Sequence, residues 1–104
     1  MFVDFDQVGL ANRYSAERTL HEVNFFCIAP SARQVSVAGD FNHWNPIANP
    51  MHRMPDGGWV LSLPLHHGHH QYYFLIDGRP TLDPRALGTV QNERGESVSL
   101  IAVS

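Results

Sequence analysis

The hydrophobic pattern changes character at Val23. Residues 1–21 carry little periodicity. Within them Ser15–His21 (SAERTLH) fits one or two helical turns capped by Ser15, or an arm lying on the domain. From Val23 onward, short β-type runs alternate with turn formers. Val23–Ile28 (VNFFCI) closes at Ala29-Pro30-Ser31, and Gln34–Ala38 (QVSVA) alternates, Val35 and Val37 against Gln34 and Ser36. A long polar segment, Gly39 to Gly58, ends in the turn signal Pro55-Asp56-Gly57-Gly58. Trp59–Leu65 (WVLSLPL) then sets Trp59, Leu61, Leu63 and Leu65 on one face. His66–His69 makes a bend around Gly68, His70–Ile76 (HQYYFLI) is the next strand, and Asp77-Gly78 is a two-residue hairpin signal. Arg79–Leu82 returns briefly and stops at Asp83-Pro84, and Ser97–Val103 (SVSLIAV) is the last run. About six short strands with turns roughly every ten to twelve residues predict an all-β, antiparallel sandwich or barrel. No segment supports a βαβ unit.

Composition narrows the class. The 104 residues fit one domain, read here as an arm over 1–21 followed by a sandwich over 22–104. Hydrophobic content of 43% against 16% charged excludes disorder over most of the chain. A net charge of −3 argues against a nucleic-acid backbone or an anionic membrane as partner. Cys27 is the sole cysteine, so no intrachain disulfide is available and a reducing, cytoplasmic setting is expected. The N-terminal MFVDFDQVGLANR does not read as a secretory signal, and no run reaches the ~20 apolar residues of a membrane helix.

The aromatic residues supply the candidate chemistry. In His70–Ile76, Tyr72, Phe74 and Ile76 share the better core face, which puts Gln71, Tyr73 and Leu75 on the outer one. Trp44 stands in the polar stretch GDFNHWNP (Gly39–Pro46), where no strand is expected. Trp44 and Tyr73 are thus two aromatics that the core does not obviously claim. Exposed aromatic faces with amide and cationic donors nearby suit a sugar, whose C–H face stacks and whose equatorial hydroxyls take hydrogen bonds. The alternative is that Trp44 folds back to cover the open end of the sandwich.

VSVAGDFNHWNP (Val35–Pro46), GGWVLSLPLHHGHHQYYFLIDG (Gly57–Gly78) and LDP (Leu82–Pro84) resemble the glycogen-binding domain of the AMP-activated protein kinase β subunit and the N-terminal early-set domains of isoamylases and branching enzymes. The resemblance spans roughly Val23 to Val103. It implies an immunoglobulin-like β-sandwich that binds α-1,4-linked glucans such as glycogen or starch. Trp44 matches one of the family's glucan-stacking tryptophans. The second, after the DG turn, is replaced within Arg79-Pro80-Thr81. A lysine corresponds to Tyr73, an inserting leucine to Arg94, and a sugar-binding asparagine to Val98. The candidate contacts are therefore Trp44, Tyr73, Asn42, Arg79 and Arg94. In the family this domain is usually an appendage. Here it is expected to be a stand-alone, non-catalytic module that serves a glycogen-metabolising enzyme in trans. The alternative is a protein-interaction module of the same fold that has lost glucan binding.

Two other constellations carry less. In HHGHH (His66–His70), neighbouring histidines on a strand point to opposite faces, so no metal site is expected; nor is a cofactor. A glycosidase needs two carboxylates ~5–10 Å apart across a cleft. Asp40, Asp56, Asp77 and Asp83 instead sit mostly in turns, so no enzyme activity is expected.

Overall fold

The computed structural model describes residues 20–104, and every regular element in it is a strand. The expected arm or helix lies, up to residue 19, outside the described residues. In chain order the strands are β1 (Leu20–Ile28), β2 (Val35–Gly39), β3 (His52–Arg53), β4 (Gly58–His66), β5 (Gly68–Ile76), β6 (Arg79–Thr81), β7 (Gly88–Gln91) and β8 (Ser97–Val103). They form two antiparallel sheets. One runs β1-β4-β3; the other runs β2-β5-β8-β7, with β6 added to the end of β5. Of the sandwich and the barrel that the turn spacing allows, it is the sandwich, of the immunoglobulin-like kind that the family resemblance implies.

Three differences from the sequence reading have physical causes. β1 begins at Leu20 rather than Val23, because its polar start continues the ladder with β4, Leu20 opposite His66. β3 and β7 escape the periodicity: His52 and Arg53 are both exposed, and GTVQ offers one apolar side chain. Each is a short edge strand whose backbone pairing, not its side chains, defines it. Finally, the bend around Gly68 does not join neighbours in one sheet. β4 belongs to one sheet and β5 to the other, so the chain crosses between layers through His67 and Gly68, the latter at φ +128°.

The core lies between the sheets. Phe25, Cys27, Trp59 and Leu65 face Val35, Val37, Tyr72, Phe74 and Val103, with Leu61, Leu63 and Ile76 packed at its margin. Tyr72 stands edge-on to Phe25 at 5.1 Å and to Phe74 at 5.9 Å. The buried polar atoms find partners. The Trp59 indole N–H donates to the Ala29 carbonyl at 2.9 Å. The Tyr72 hydroxyl donates to Asp83 at 2.6 Å, while the Asp83 N–H donates to the Ser99 hydroxyl at 2.8 Å. Burial, reinforced by the Asp83 carboxylate, pushes the Tyr72 phenol well above its ordinary pKa, and burial raises that of the Cys27 thiol.

Candidate functional site

The segment Gly39–Trp44 folds as a tight loop directly after β2, and nearly every residue in it has a structural task. The Gly39 carbonyl accepts the N–H groups of Asn42 (3.1 Å) and Trp44 (2.9 Å). The Gly39 N–H donates to the Asn42 side-chain oxygen at 3.0 Å, and the Asn42 amide donates to the Val37 carbonyl (2.9 Å) and to Asn49 (2.7 Å). A Cβ on Gly39 would stand 2.6 Å from both the Gln71 carbonyl and the Phe41 ring, so only glycine fits. Asp40 accepts the Gln71 N–H at 3.0 Å and contacts the His70 ring at 3.1 Å, which ties the loop to β5.

This closure leaves His43 and Trp44 both at φ +58°. Left-handed backbone costs non-glycine residues of order 1–2 kcal/mol each and persists only where surrounding bonds over-determine it. Its consequence is to turn the Trp44 indole onto the outer face of the larger sheet. The ring lies 5.1 Å from Tyr73, centroid to centroid, tilted by 48°.

Tyr73 is on the outer face, as the alternation predicts, but it is not a displayed platform: only 8% of it is exposed. The reason is a second apolar cluster on this face, in which Ala38, Tyr73, Leu75 and Val98 are buried, with Trp44 and Val90 packed against them. Ala38 pairs with Tyr73, and Val98 with Val90, across the strands. Trp44 is therefore the half-exposed upper layer and Tyr73 the floor beneath it. Trp44 covers the sheet's outer face rather than an open end of the sandwich.

The other sequence candidates lie elsewhere. The Asn42 amide is engaged inside the loop. Arg79 pairs with Ile76, whose side chain packs on the inner core, so Arg79 stands on the face opposite Tyr73. Pro80, opposite Leu75, holds the outer position on β6. Arg94 is at the tip of the β7–β8 turn, 3.4 Å from Glu96, both exposed. Of the five, the structure brings together Trp44 and Tyr73.

Sequence reasoning missed the ground beside them. A cleft of about 320 Å³ opens next to Leu75, bounded by Ser36, Pro46, Ile47 and Pro50 on one side and by Gln34 and Gly78 on the other. Ile47, an apolar residue set among Asn45, Pro46 and Asn49, is the signal the sequence offers for it; the cleft itself is formed by parts of the chain far apart in sequence.

The carboxylates near these elements are committed to the backbone. Asp56 accepts the Gly58 N–H, Asp83 accepts the Arg85 N–H, and Asp77 accepts those of Arg33 and Gln34. The Gln34 and then the Arg33 N–H hold the Asp77 carboxyl below the usual carboxylate range. Among the described residues no three His, Cys, Asp or Glu side chains converge as metal ligands, and no helix is long and apolar enough to cross a membrane.

Comparison with known proteins agrees with this architecture. The family model for carbohydrate-binding module 48 (isoamylase N-terminal domain) matches residues 11–93. A 1,4-alpha-glucan branching enzyme GlgB 2 of Rhizobium johnstonii is 33% identical over 98% of this chain, which covers 16% of that enzyme. The GlgB of Picrophilus torridus is 38% identical over 72% of this chain and 12% of the enzyme. That of a Bradyrhizobium strain is 45% identical over 54% of this chain and 8% of the enzyme. The chain thus spans less than a fifth of the length of these relatives.

Proposed function

The chain belongs to the carbohydrate-binding module 48 family, and from that premise we propose that it binds α-1,4-linked glucan, as in glycogen or starch, on the outer face of its larger sheet, weakly and without catalysis. The observation that carries the reading is the Trp44 indole, held half-exposed on strained backbone against a buried tyrosine. Strain of this kind is retained where it aims a functional group. A fixed aromatic face takes the C–H side of a glucose ring with little ordering cost.

In this reading Trp44 makes the stacking contact and Tyr73 fixes it from below. Asn42 acts by locking the loop, Arg94 offers a charged donor at the far rim, and Arg79 makes no direct contact. Catalysis is left to another domain or to a glucan-processing enzyme in trans, because the aspartates of the described region hold turns and loops instead of flanking a cleft as an acid/base pair. One principal stacking contact worth ~1–2 kcal/mol, and hydroxyl bonds of about 1 kcal/mol each, less the cost of ordering the chain, place dissociation constants between ~100 µM and a few mM.

A second reading, an interaction module that has lost the sugar site, is favoured by the opposite edge of the sandwich. There an apolar cavity of about 630 Å³ lies among Phe26, Ile28, Phe74, Ile76 and Leu82, with Ile28 72% exposed. Titration calorimetry with β-cyclodextrin separates the two. Wild-type heat that vanishes in Trp44→Ala supports glucan binding. No heat and no chemical-shift change at millimolar glucan gives the protein to the second reading.

A further inference from the structure

Along β5, the outer-face residue after Tyr73 is Leu75, about 7 Å further on. It is the floor of the cleft bounded by Ile47 and Gly78. Platform and cleft are therefore parts of one continuous surface. We propose that this cleft is a second glucose subsite, so that a bound α-glucan runs from Trp44 along β5, over Leu75, toward Ile47 and the β5–β6 turn. The proposal rests on the reading of the outer face as a glucan site and gives that site a direction.

Three observations support it. First, the chemistry is that of a sugar site. Leu75, Pro46 and Ile47 give apolar surface, while Gln34 at the rim carries a side-chain amide that makes no hydrogen bond of its own among the described residues. A volume of about 320 Å³ is at the lower end of the ~300–1,000 Å³ seen for small-molecule sites, ample for one ring and short of a large ligand.

Second, both walls are preset. On one side the Ser36 hydroxyl donates to the Pro46 carbonyl at 2.8 Å, and the Ile47 N–H donates to the Asn45 side chain at 3.0 Å. On the other, Asp77 accepts the Arg33 and Gln34 N–H groups at 2.9 and 3.0 Å, and its own N–H donates to the Gln34 carbonyl at 2.9 Å. A site whose walls are already bonded loses little freedom on binding. Ile47, 82% exposed, has no packing task that would explain its place on this rim.

Third, the flank of Leu75 away from β2 is poorly furnished. β6 must flank β5 on the side away from β2, since both pair with Phe74–Ile76. There the outer position is Pro80, without an aromatic face or a donor, and Val98 is fully buried.

The test uses the 104-residue chain with maltose and maltoheptaose, by calorimetry and by amide chemical-shift mapping. Maltoheptaose should shift Ser36, Ile47 and Gly78 as well as Trp44 and Tyr73, whereas maltose should shift chiefly the Trp44 end. Ile47→Ala and Gln34→Ala, both at exposed positions, should each weaken maltoheptaose about three- to tenfold and leave maltose unchanged. If maltoheptaose binds through Trp44 but its shifts stop at Tyr73 and neither variant weakens it, the second subsite is refuted while glucan binding stands. If the wild type binds neither sugar, both proposals fall.

Discussion

The two faces of β5 make the most instructive comparison in the molecule. Tyr72 and Phe74 point into the space between the sheets, and Tyr73 and Leu75 point away from it, yet all four are buried. The inner pair is enclosed by the opposing sheet, which supplies Phe25, Cys27 and Trp59. The outer pair is enclosed by its own sheet's neighbours and by one side chain from a loop, Trp44. The inner face is closed on both sides and serves stability. The outer face is covered by Trp44 alone among the loop side chains, and the indole's own outward side stays half-exposed.

The sharpest test of that contrast is Phe74→Ala. Phe74 is 1% exposed, and its truncation should cost about 3–5 kcal/mol in denaturant unfolding. A loss under about 1 kcal/mol would show the inner face to be loosely filled and erase the distinction. Tyr73→Ala should cost less, about 2 kcal/mol, because its cavity opens toward solvent and the loop can settle into it. The same substitution should remove glucan binding, since the Trp44 indole loses the surface that orients it. Equal stability losses for the two variants would mean that the outer cluster is as much a core as the inner one.

His43→Gly isolates the loop's strain. With φ at +58°, glycine relieves the left-handed penalty at some cost in chain entropy, so a net stabilisation of about 0.5–1 kcal/mol is expected in thermal melts. Destabilisation would locate the strain elsewhere. The smallest effect concerns Asp77. Its carboxyl pKa is lowered in the fold by the Gln34 and Arg33 N–H groups, so its contribution is fully present above the unfolded carboxylate pKa of ~3.9 and is lost as pH falls through the lower folded value. The stability gap between wild type and Asp77→Ala should be constant above about pH 5 and close in more acidic solution. A gap that widened on acidification would reverse the sign.

Much of this was legible in the sequence. Alternation in HQYYFLI assigned both faces of β5 correctly, and GDFNHWNP with YYFLIDG carried the family. What stayed hidden was non-local. Nothing in the tyrosine's own neighbourhood says that Trp44 folds over it, because the cover comes from a loop joined to another strand. The short edge strands β3 and β7 are defined by backbone pairing that their side chains do not announce. An asparagine's amide reads the same in sequence whether it faces a ligand or its own backbone, so the three hydrogen bonds by which the Asn42 side chain holds its loop are not visible there.

The two tryptophans inhabit such different surroundings that the protein carries its own pair of optical labels. Trp59 is enclosed, with its indole N–H bonded to a carbonyl and Arg53 over its ring at 5.5 Å. Its emission reports whether the sandwich is assembled. Trp44 lies against a phenol at 5.1 Å and meets water on its other side. Its emission, and its share of the near-ultraviolet dichroism, report what occupies the outer face. Acrylamide should quench the second and spare the first, so one cuvette can follow folding and occupancy as separate signals without any added dye.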